Sequence, residues 1–458
     1  MSNAAWHRRD FLACGGLASA RLIGTTLLPG KFLAQEVSQL RGSAKSLVIS
    51  THEFYGNLDE RIDFPNSWEI NEMRMKGQDA PVLSPQEIRQ EFAKPIGTPP
   101  LRELAAGKRR VVITFDDLTR GTPTYDVIPS VIDELRAAGV ADENILLMVS
   151  LGSHRAMHVL EVQRKIGKDI EQRFVWINHN VVSNFDELGT TSYKNRIRVN
   201  STFAASDLKI TLSGIRVHEM VGYGGGAKAV LPGVSSLDTI EFNHINIGSG
   251  NPTVGPFKVF KNEQRKDMIE AARLAKLDFS VNIVYNGKQK PIGVFAGDVA
   301  EAHHAACRVA NSVYRTPTFH GADIVVSNAY PYDAAAGGAQ SWIRASLREG
   351  GTGVLVAQNP VTMESVHYLN QKTRGQKIHD YWQDLESRTK SRPRGSSGLI
   401  VYSQYLDRQM MNGYGPGTMF ASTWAEVIQL LQKRHKSDAR VAVYPYGGLQ
   451  HEEVDLDG

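Results

Sequence analysis

The sequence has little cysteine, no long apolar run and almost no excess of charge. Two cysteines in 458 residues, Cys14 and Cys307, are too few for a disulfide scaffold or for a cysteine-rich zinc or iron–sulfur site. No apolar run reaches about 18 residues, so no transmembrane helix is predicted. A net charge of +4 is too small to favour nucleic acid or a membrane surface as a partner. The 41% of hydrophobic residues is typical of a globular protein, and the 14 histidines are the side chains available to a metal.

Residues 1–35 have the pattern of an export signal. Arg8 and Arg9 precede Phe11 and a weakly apolar, glycine-rich stretch, as in a twin-arginine signal peptide. Arg21 interrupts that stretch, and the alternative is a disordered N-terminus with a chance arginine pair. We expect a periplasmic or otherwise exported protein that folds in the cytoplasm and is not membrane-bound once the signal is removed. Without a functional signal the protein would stay in the cytoplasm.

From about residue 46, apolar strands alternate with amphipathic helices. Predicted strands lie at 108–115, 143–151, 173–178, 207–213, 322–328, 352–358, 398–403 and 439–445. This alternation predicts the α/β fold class, with two α/β domains, mainly parallel sheets and an active site in the cleft between them. We expect a larger domain at 46–298, a smaller one at 299–440 and a C-terminal tail at 441–458.

Residues suited to binding and proton transfer follow two of these strands. The string FDDLTRGTP at 115–123 contains Asp117, Thr119 and Arg120, and an arginine there can hold a carboxylate through two hydrogen bonds. The string LGSHRAM at 151–157 contains His154, which can act as a general base near neutral pH. Ligands of parallel sheets bind beyond the carboxyl ends of the strands, where both strings lie. The structural alternatives are a helix cap and a hydrogen-bonded turn histidine.

A glycine-rich string, GIRVHEMVGYGGGAKAVLPGVSS at 214–236, carries further candidates. Its amides at Gly224, Gly225 and Gly226 can approach a phosphate closely, and Lys228 follows them. The alanines on either side of Lys228 exclude a P-loop, and the glycine spacing fits a dinucleotide fingerprint poorly. His218 does not begin a zinc-binding HExxH motif, since glycine replaces the second histidine.

Further histidines follow this string. His244 lies in EFNH at 241–244, and His303 and His304 are expected to cap a helix or to line the junction between the domains. Together with His154 and His218, His244 indicates a metal-bearing or redox site, although the spacings do not suggest zinc.

The strings FDDLTRGTP, LGSHRAM and HEMVGYGGGAKAVLPGVSS, with Asn-His at 243–244, resemble the nickel-dependent lactate racemase family. The resemblance implies a nickel-pincer nucleotide, a nickel-bearing pyridinium-3,5-bisthiocarboxylic acid mononucleotide made by separate cofactor-biosynthesis proteins in the cytoplasm. It implies that Lys228 tethers this cofactor through a thioamide and that His244 gives nickel its fourth ligand. By the same resemblance, Asp117, Thr119 and the loop Gly224–Gly226 lie on the cofactor side of the site.

The resemblance also implies a reaction, the racemisation or epimerisation of a small-molecule 2-hydroxy acid at C2. His154 and His218 match the paired catalytic histidines, and Arg120 matches the arginine that orients the substrate carboxylate. The implied path is proton-coupled hydride transfer to the cofactor and back to the opposite face. Since both histidines must be neutral to accept a proton, activity should fall below the usual histidine pKa of about 6.5.

The second domain departs from the family pattern. Family racemases use a Gln-x-x-Lys pair there, whereas the segment 327–346 keeps Tyr330, Pro331 and Asp333 but has no lysine. We therefore expect a 2-hydroxy acid other than lactate, larger or more polar, such as an aldonic acid. Two alternatives stay open. One is a nicotinamide-type 2-hydroxy-acid dehydrogenase, for which a proper fingerprint is missing. The other is a non-catalytic exported protein that binds nickel or another ligand.

Overall fold

A computed structural model describes residues 45–52, 56–332, 337–359, 367–369, 398–406, 411, 414, 417–435 and 437–457. The predicted export signal lies outside these residues, as do Asp333 and Cys14.

The strands alternate with helices along most of the chain, as the sequence predicts. The strands are β1 (Lys45–Thr51), β2 (Leu58–Phe64), β3 (Glu69–Glu72), β4 (Val111–Phe115), β5 (Ile145–Val149), β6 (Val175–Asn178), β7 (Phe185–Thr190), β8 (Arg196–Asn200), β9 (Leu208–Gly214), β10 (Val217–His218), β11 (Val221–Tyr223), β12 (Gly255–Pro256), β13 (Phe279–Tyr285), β14 (Pro291–Gly297), β15 (Ala322–Asn328), β16 (Leu347–Val356), β17 (Gly398–Tyr402), β18 (Met419–Ala421) and β19 (Arg440–Tyr444). The helices are α1 (Pro85–Ala93), α2 (Leu101–Ala105), α3 (Thr124–Ala137), α4 (Val159–Ile166), α5 (Lys168–Arg173), α6 (Ser201–Ala205), α7 (Leu237–Glu241), α8 (Glu263–Leu274), α9 (Glu301–Val313), α10 (Gly337–Ser346) and α11 (Trp424–Gln432). A π-helix at Phe242–Gly248 continues α7, and short 3-10 turns lie at Asp142–Asn144 and Gly226–Ala229.

The first six-stranded sheet has the order β14-β13-β9-β4-β5-β6, and only β14 runs antiparallel to its neighbour. In its central register Phe115 pairs with Val149 on one side and Leu212 on the other. Strands β4, β5 and β9 therefore end at the same level. The segments that follow them, which carry the predicted site residues, leave the sheet side by side.

The second six-stranded sheet is parallel throughout, in the order β18-β17-β16-β15-β19-β3. The two sheets confirm the predicted α/β class. Strand β19 lies inside this sheet between β15 and β3, so the sheet extends past the predicted boundary at residue 440. Strand β3, which precedes the first sheet in the chain, pairs with β19 and belongs to the second sheet.

The central strands are apolar along their whole length because both faces of the sheet are covered. Every residue of β4 is buried, and its side chains alternate between two cores. Val111 and Ile113 belong to the core beneath α3, whereas Val112 packs on the other face with Met148. Continuous runs of this kind are typical of parallel sheets, and they made these strands predictable. Among the residues described, no helix has the length and apolarity needed to cross a bilayer.

Candidate active site

Asp117 and His154 form a buried hydrogen-bonded pair where β4 and β5 end. Nδ1 of His154 lies 2.7 Å from Oδ2 of Asp117, and the backbone N–H of Thr119 donates to Oδ1 at 2.7 Å. Burial opposes ionisation of Asp117, but the charge and hydrogen bond of His154, the charge of Arg120 and the Thr119 hydrogen bond hold its pKa well below the usual range. An ionised Asp117 keeps the imidazole proton on Nδ1, so Nε2 of His154 is presented as a base.

Arg120 lies against the same turn. Its Nη1 donates to the carbonyl oxygen of Thr119 at 3.2 Å and to the Thr119 hydroxyl at 2.9 Å. Among the described residues, no carboxylate pairs with Arg120 within ion-pairing distance. The predicted carboxylate-binding arginine is therefore close to the His154 pair. Its guanidinium has donors available to a ligand.

A buried lysine holds this turn in place. Nζ of Lys165, on α4, lies 2.7 Å from Oδ1 of Asp116 and donates to the carbonyl oxygen of Arg120 at 2.6 Å. The other Asp116 oxygen accepts the Thr122 hydroxyl at 2.6 Å. Both charged groups lie inside the protein, so removal of either would leave the other as an uncompensated buried charge. The sequence did not reveal Lys165, since a lysine on an amphipathic helix is normally exposed.

Arg265 and His303 hold the glycine loop, Gly224–Gly226, through hydrogen bonds to its backbone carbonyl oxygens. Arg265 has no exposed surface and donates to the carbonyl oxygens of Gly225 at 2.9 Å and Val221 at 3.1 Å, and it also contacts that of Tyr223. Nε2 of His303 bonds the Gly224 carbonyl at 2.8 Å. His303 thus has a structural role in holding this loop.

The loop amides differ from the expectation that they would approach a phosphate. The N–H of Gly224 donates to the carbonyl of Arg216 at 2.7 Å, and the N–H of Gly226 donates to Oδ1 of Asn282 at 2.9 Å. Both amides are therefore bonded within the protein. Glycine is needed in this loop instead because the backbone conformation and the close packing leave no room for a side chain. Gly226 has a φ of 60°, and a Cβ there would lie 2.8 Å from the His303 ring.

Lys228 and His218 are in direct contact. Nζ of Lys228 lies 2.8 Å from Nε2 of His218, and the Met220 N–H donates to Nδ1 of His218 at 3.2 Å. Burial lowers the pKa of both side chains well below the usual values, and nearby arginines, including Arg120 and Arg216, lower them further. Because Nδ1 accepts, a neutral His218 carries its proton on Nε2, the ring atom that faces Lys228.

His244 is oriented as a metal-ligating histidine would be. It lies in the π-helix, and its Nδ1 donates to the Ile240 carbonyl at 2.9 Å. This bond leaves the lone pair on Nε2. Burial, and then the charge of Lys228, lowers the pKa of His244 to about 4, so the ring is neutral at neutral pH. Single π turns are frequent at functional sites.

His367 lies at the same site and was not predicted. Its ring centre is 5.1 Å from that of His154, and its ring nitrogens lie 3.3 Å from the Ser153 hydroxyl. Burial lowers the pKa of His367 to about 3, with further contributions from His154, His244 and Lys228. The His367 imidazole thus interacts both with His154 and with the Lys228 and His244 side chains. The structure therefore brings the predicted residues together around one ring.

The protein alone does not provide a complete metal site in the part of the chain that is described. No three side chains of histidine, cysteine, aspartate or glutamate converge there. Cys307 is buried in the core, 3.4 Å from Nε2 of His303, and burial raises its thiol pKa to about 12. A metal on His244 would therefore need its other ligands from a bound group.

A family model places the chain among known proteins. Residues 55–255, which include all the predicted site residues, match the lactate racemase N-terminal domain. The lactate racemase of Lactiplantibacillus plantarum is 34% identical over 287 residues, 60% of this chain and 66% of that protein. The lactate racemase of Thermoanaerobacterium thermosaccharolyticum is 30% identical over 285 residues, 61% of this chain and 66% of that protein. The matched part is thus slightly under two thirds of each relative.

Solved structures share the fold. The lactate racemase apoprotein from Thermoanaerobacterium thermosaccharolyticum superposes with a TM-score of 0.62 at 22% identity, covering 89% of this chain and 99% of that one. A crystal structure of a protein from Thermotoga maritima gives a TM-score of 0.58 at 17% identity, covering 82% and 98%. Residues 55–255 match the lactate racemase N-terminal domain, and over that part the chain is similar to lactate racemases.

Proposed function

We propose that the protein is a racemase or epimerase that inverts the C2 centre of a 2-hydroxy acid other than lactate, with a nickel-pincer nucleotide attached covalently to Lys228. The observation that carries the proposal is the partly buried contact between Lys228 and His218 at 2.8 Å. A neutral amine is a nucleophile and can form a thioamide, whereas an ammonium group can only attract a counter-ion. The lowered pKa of Lys228 favours the neutral form that the tether needs.

The residues present fit the nickel group. The Nε2 lone pair of His244 is available because Nδ1 is bonded to the Ile240 carbonyl, and imidazole with soft sulfur ligands suits Ni(II). The cofactor itself would supply the remaining ligands. When bound, it supplies the hydride acceptor that no protein side chain offers.

The side chains of the protein bind the substrate and move its protons. Nε2 of His154 takes the hydroxyl proton, and Asp117 stabilises the imidazolium that results. Arg120 turns from Thr119 to hold the carboxylate next to C2. His218 is the second proton-transfer group, which inversion requires because the two faces of C2 are handled in turn.

The two alternatives lack support from these contacts. A nicotinamide-type dehydrogenase would aim glycine-loop amides at a pyrophosphate, but Gly224 and Gly226 donate to groups of the protein. A protein that only binds nickel or another ligand has no use for the Asp117–His154 pair, whose geometry is that of a general base.

The test is mass spectrometry and metal analysis of protein produced together with the cofactor-biosynthesis proteins. We expect a nucleotide-sized adduct on the peptide that contains Lys228, and Lys228→Ala should lose the adduct, the nickel and the activity. Lys209→Ala is the matched control, since Lys209 is a buried lysine on β9 whose Nζ donates to the Ser206 carbonyl at 2.6 Å. A Lys228→Ala protein that keeps its nickel and its racemase activity would refute the proposal.

We further propose export by the twin-arginine route, because cofactor attachment in the cytoplasm would require transport of a folded protein. Removal of residues 1–35 in the same mass spectrum is the expected result, and a periplasmic fraction free of the protein would contradict it.

A further inference from the structure

Arg216 is a second guanidinium at the site, and the proposed mechanism gives it no role. It lies in the segment that joins β9 to β10, two residues before His218. Its Cζ lies 3.8 Å from the centre of the Tyr332 ring. Tyr332 follows β15 of the second sheet, and its hydroxyl is bonded to that of Tyr285. Arg216 therefore extends from the catalytic segment of the first sheet to the carboxyl end of a strand in the second.

Among the described residues, no carboxylate neutralises Arg216. In the described part of the chain its guanidinium forms no ion pair and donates no hydrogen bond. Glu219 attracts it only at longer range and is exposed. Two aspartates described at the site already have partners, Asp117 in His154 and Asp116 in a buried lysine.

The surroundings of Arg216 favour a bound anion. Burial lowers its pKa, and the charge of Arg120 lowers it further, so the two guanidiniums repel each other. Charges placed together in a desolvated site carry a cost that a bound anion removes. A substrate with one carboxylate would neutralise only Arg120.

We propose that Arg216 binds a second carboxylate, at the end of the substrate remote from C2, and that the substrate is a 2-hydroxy dicarboxylate. The inference rests on the proposed function and adds the substrate class to it. Arg120 holds the carboxylate next to C2, and Arg216, held over the ring of Tyr332, offers paired N–H donors to the other. The lysine that is absent from α10 is then replaced by a cation from the first sheet.

The first test compares two substrates on cofactor-loaded enzyme, with D-2-hydroxysuccinate and D-lactate as probes. We expect the wild-type kcat/KM to be about 100-fold higher for hydroxysuccinate than for lactate. Arg216→Leu should remove most of that preference, while its kcat/KM for lactate should differ from the wild-type value by less than about threefold. Arg440→Leu is the matched control, because Arg440 also stacks on a ring, that of Phe319 at 4.9 Å, on a strand remote from the site. It should leave both values unchanged.

The second test needs no activity. Succinate should raise the Tm of the wild-type apoprotein more than propionate does, because only succinate has a second carboxylate, and Arg216→Leu should abolish the difference. Equal losses for both substrates in Arg216→Leu would overturn the inference. So would loss of nickel and of the Lys228 adduct in that variant, which would assign Arg216 to an anionic group of the cofactor.

The two proposals fail in different ways. If the wild-type protein carries the Lys228 adduct and its kcat/KM for lactate equals that for hydroxysuccinate, the dicarboxylate inference fails and the cofactor assignment stands. If it carries no adduct after production with the biosynthesis proteins and racemises neither acid, the proposed function itself fails.

Discussion

Replacing Asp117 by asparagine tests whether His154 is the base. The two oxygens of Asp117 accept from His154 Nδ1 and from the Thr119 N–H, each at 2.7 Å. Asparagine has one oxygen for these two donors. If it stays on Thr119, its amide group faces Nδ1 of His154, which must then accept, and the imidazole proton moves to Nε2. The base is lost although the shape of the site is kept.

The size of the effect follows from the role of the base. A positioned general base contributes about 10²- to 10⁴-fold to the rate, and a base in the wrong tautomer forfeits that contribution. We therefore expect kcat to fall by about 10²- to 10⁴-fold, which corresponds to about 3–5 kcal/mol of activation free energy. Binding of the carboxylate through Arg120 is not altered, so KM should change much less.

The assay follows loss of optical activity of D-2-hydroxysuccinate, or of lactate if the wild type prefers it, after nickel content and the Lys228 adduct have been measured. Asp142→Asn is the matched control, because Asp142 pairs with Arg136 at 2.8 Å in the turn before β5, at the opposite end of that strand. A loaded Asp117→Asn enzyme with kcat within about threefold of wild type would refute the assignment of His154 as a base oriented by Asp117.

Three further predictions concern buried groups, each measured by urea denaturation of the apoprotein. Lys165→Met should cost about 3–5 kcal/mol of unfolding free energy, because it leaves Asp116 buried without its partner. Arg265→Leu should cost at least about 3 kcal/mol, because buried carbonyls of the glycine loop lose their donors. Burial lowers the pKa of His179 to about 4, so between pH of about 6.5 and 4 the unfolded chain binds the extra proton and stability falls with falling pH, by about 3 kcal/mol for this residue.

Each of these results has a contrary outcome. Adding Asp116→Asn to Lys165→Met should recover part of the loss, and strict additivity would show that the two residues are not coupled. An Arg265→Leu protein of wild-type stability would show that the loop keeps its shape without that donor. His179→Asn should flatten the acid limb of the stability curve, and an unchanged slope would assign the acid sensitivity to other groups.

The sequence predicted those parts of the fold that depend on local pattern. Strands β4, β5 and β9 are buried on both faces, so their apolar runs are visible without knowledge of the neighbours. The residues after them were predicted to lie at the site because parallel strands end at a common edge. Asp117 and His154, which follow β4 and β5, do meet at that edge.

The remaining parts depend on contacts between distant segments. His367 reaches the site through a contact with Ser153, which lies 214 residues earlier, and no local pattern marks it. Lys165 and Arg265 are charged residues on amphipathic helices, where the pattern predicts exposure. Each is buried because a carboxylate or a set of carbonyls from another segment receives it, and such partners are known only after the chain has folded.

The pairing of β3 with β19 has a consequence for synthesis of the protein. Nδ2 of Asn71 donates to the carbonyl of Val441, and the two residues are 370 positions apart. While the ribosome is still making the chain, β3 has none of its described strand partners until β19 emerges, and β15 has one edge unpaired until the same strand is made. The second sheet therefore forms late, whereas the first can form as soon as β14 has been made. In the interval these unpaired edges are able to pair with other chains, which a chaperone would prevent.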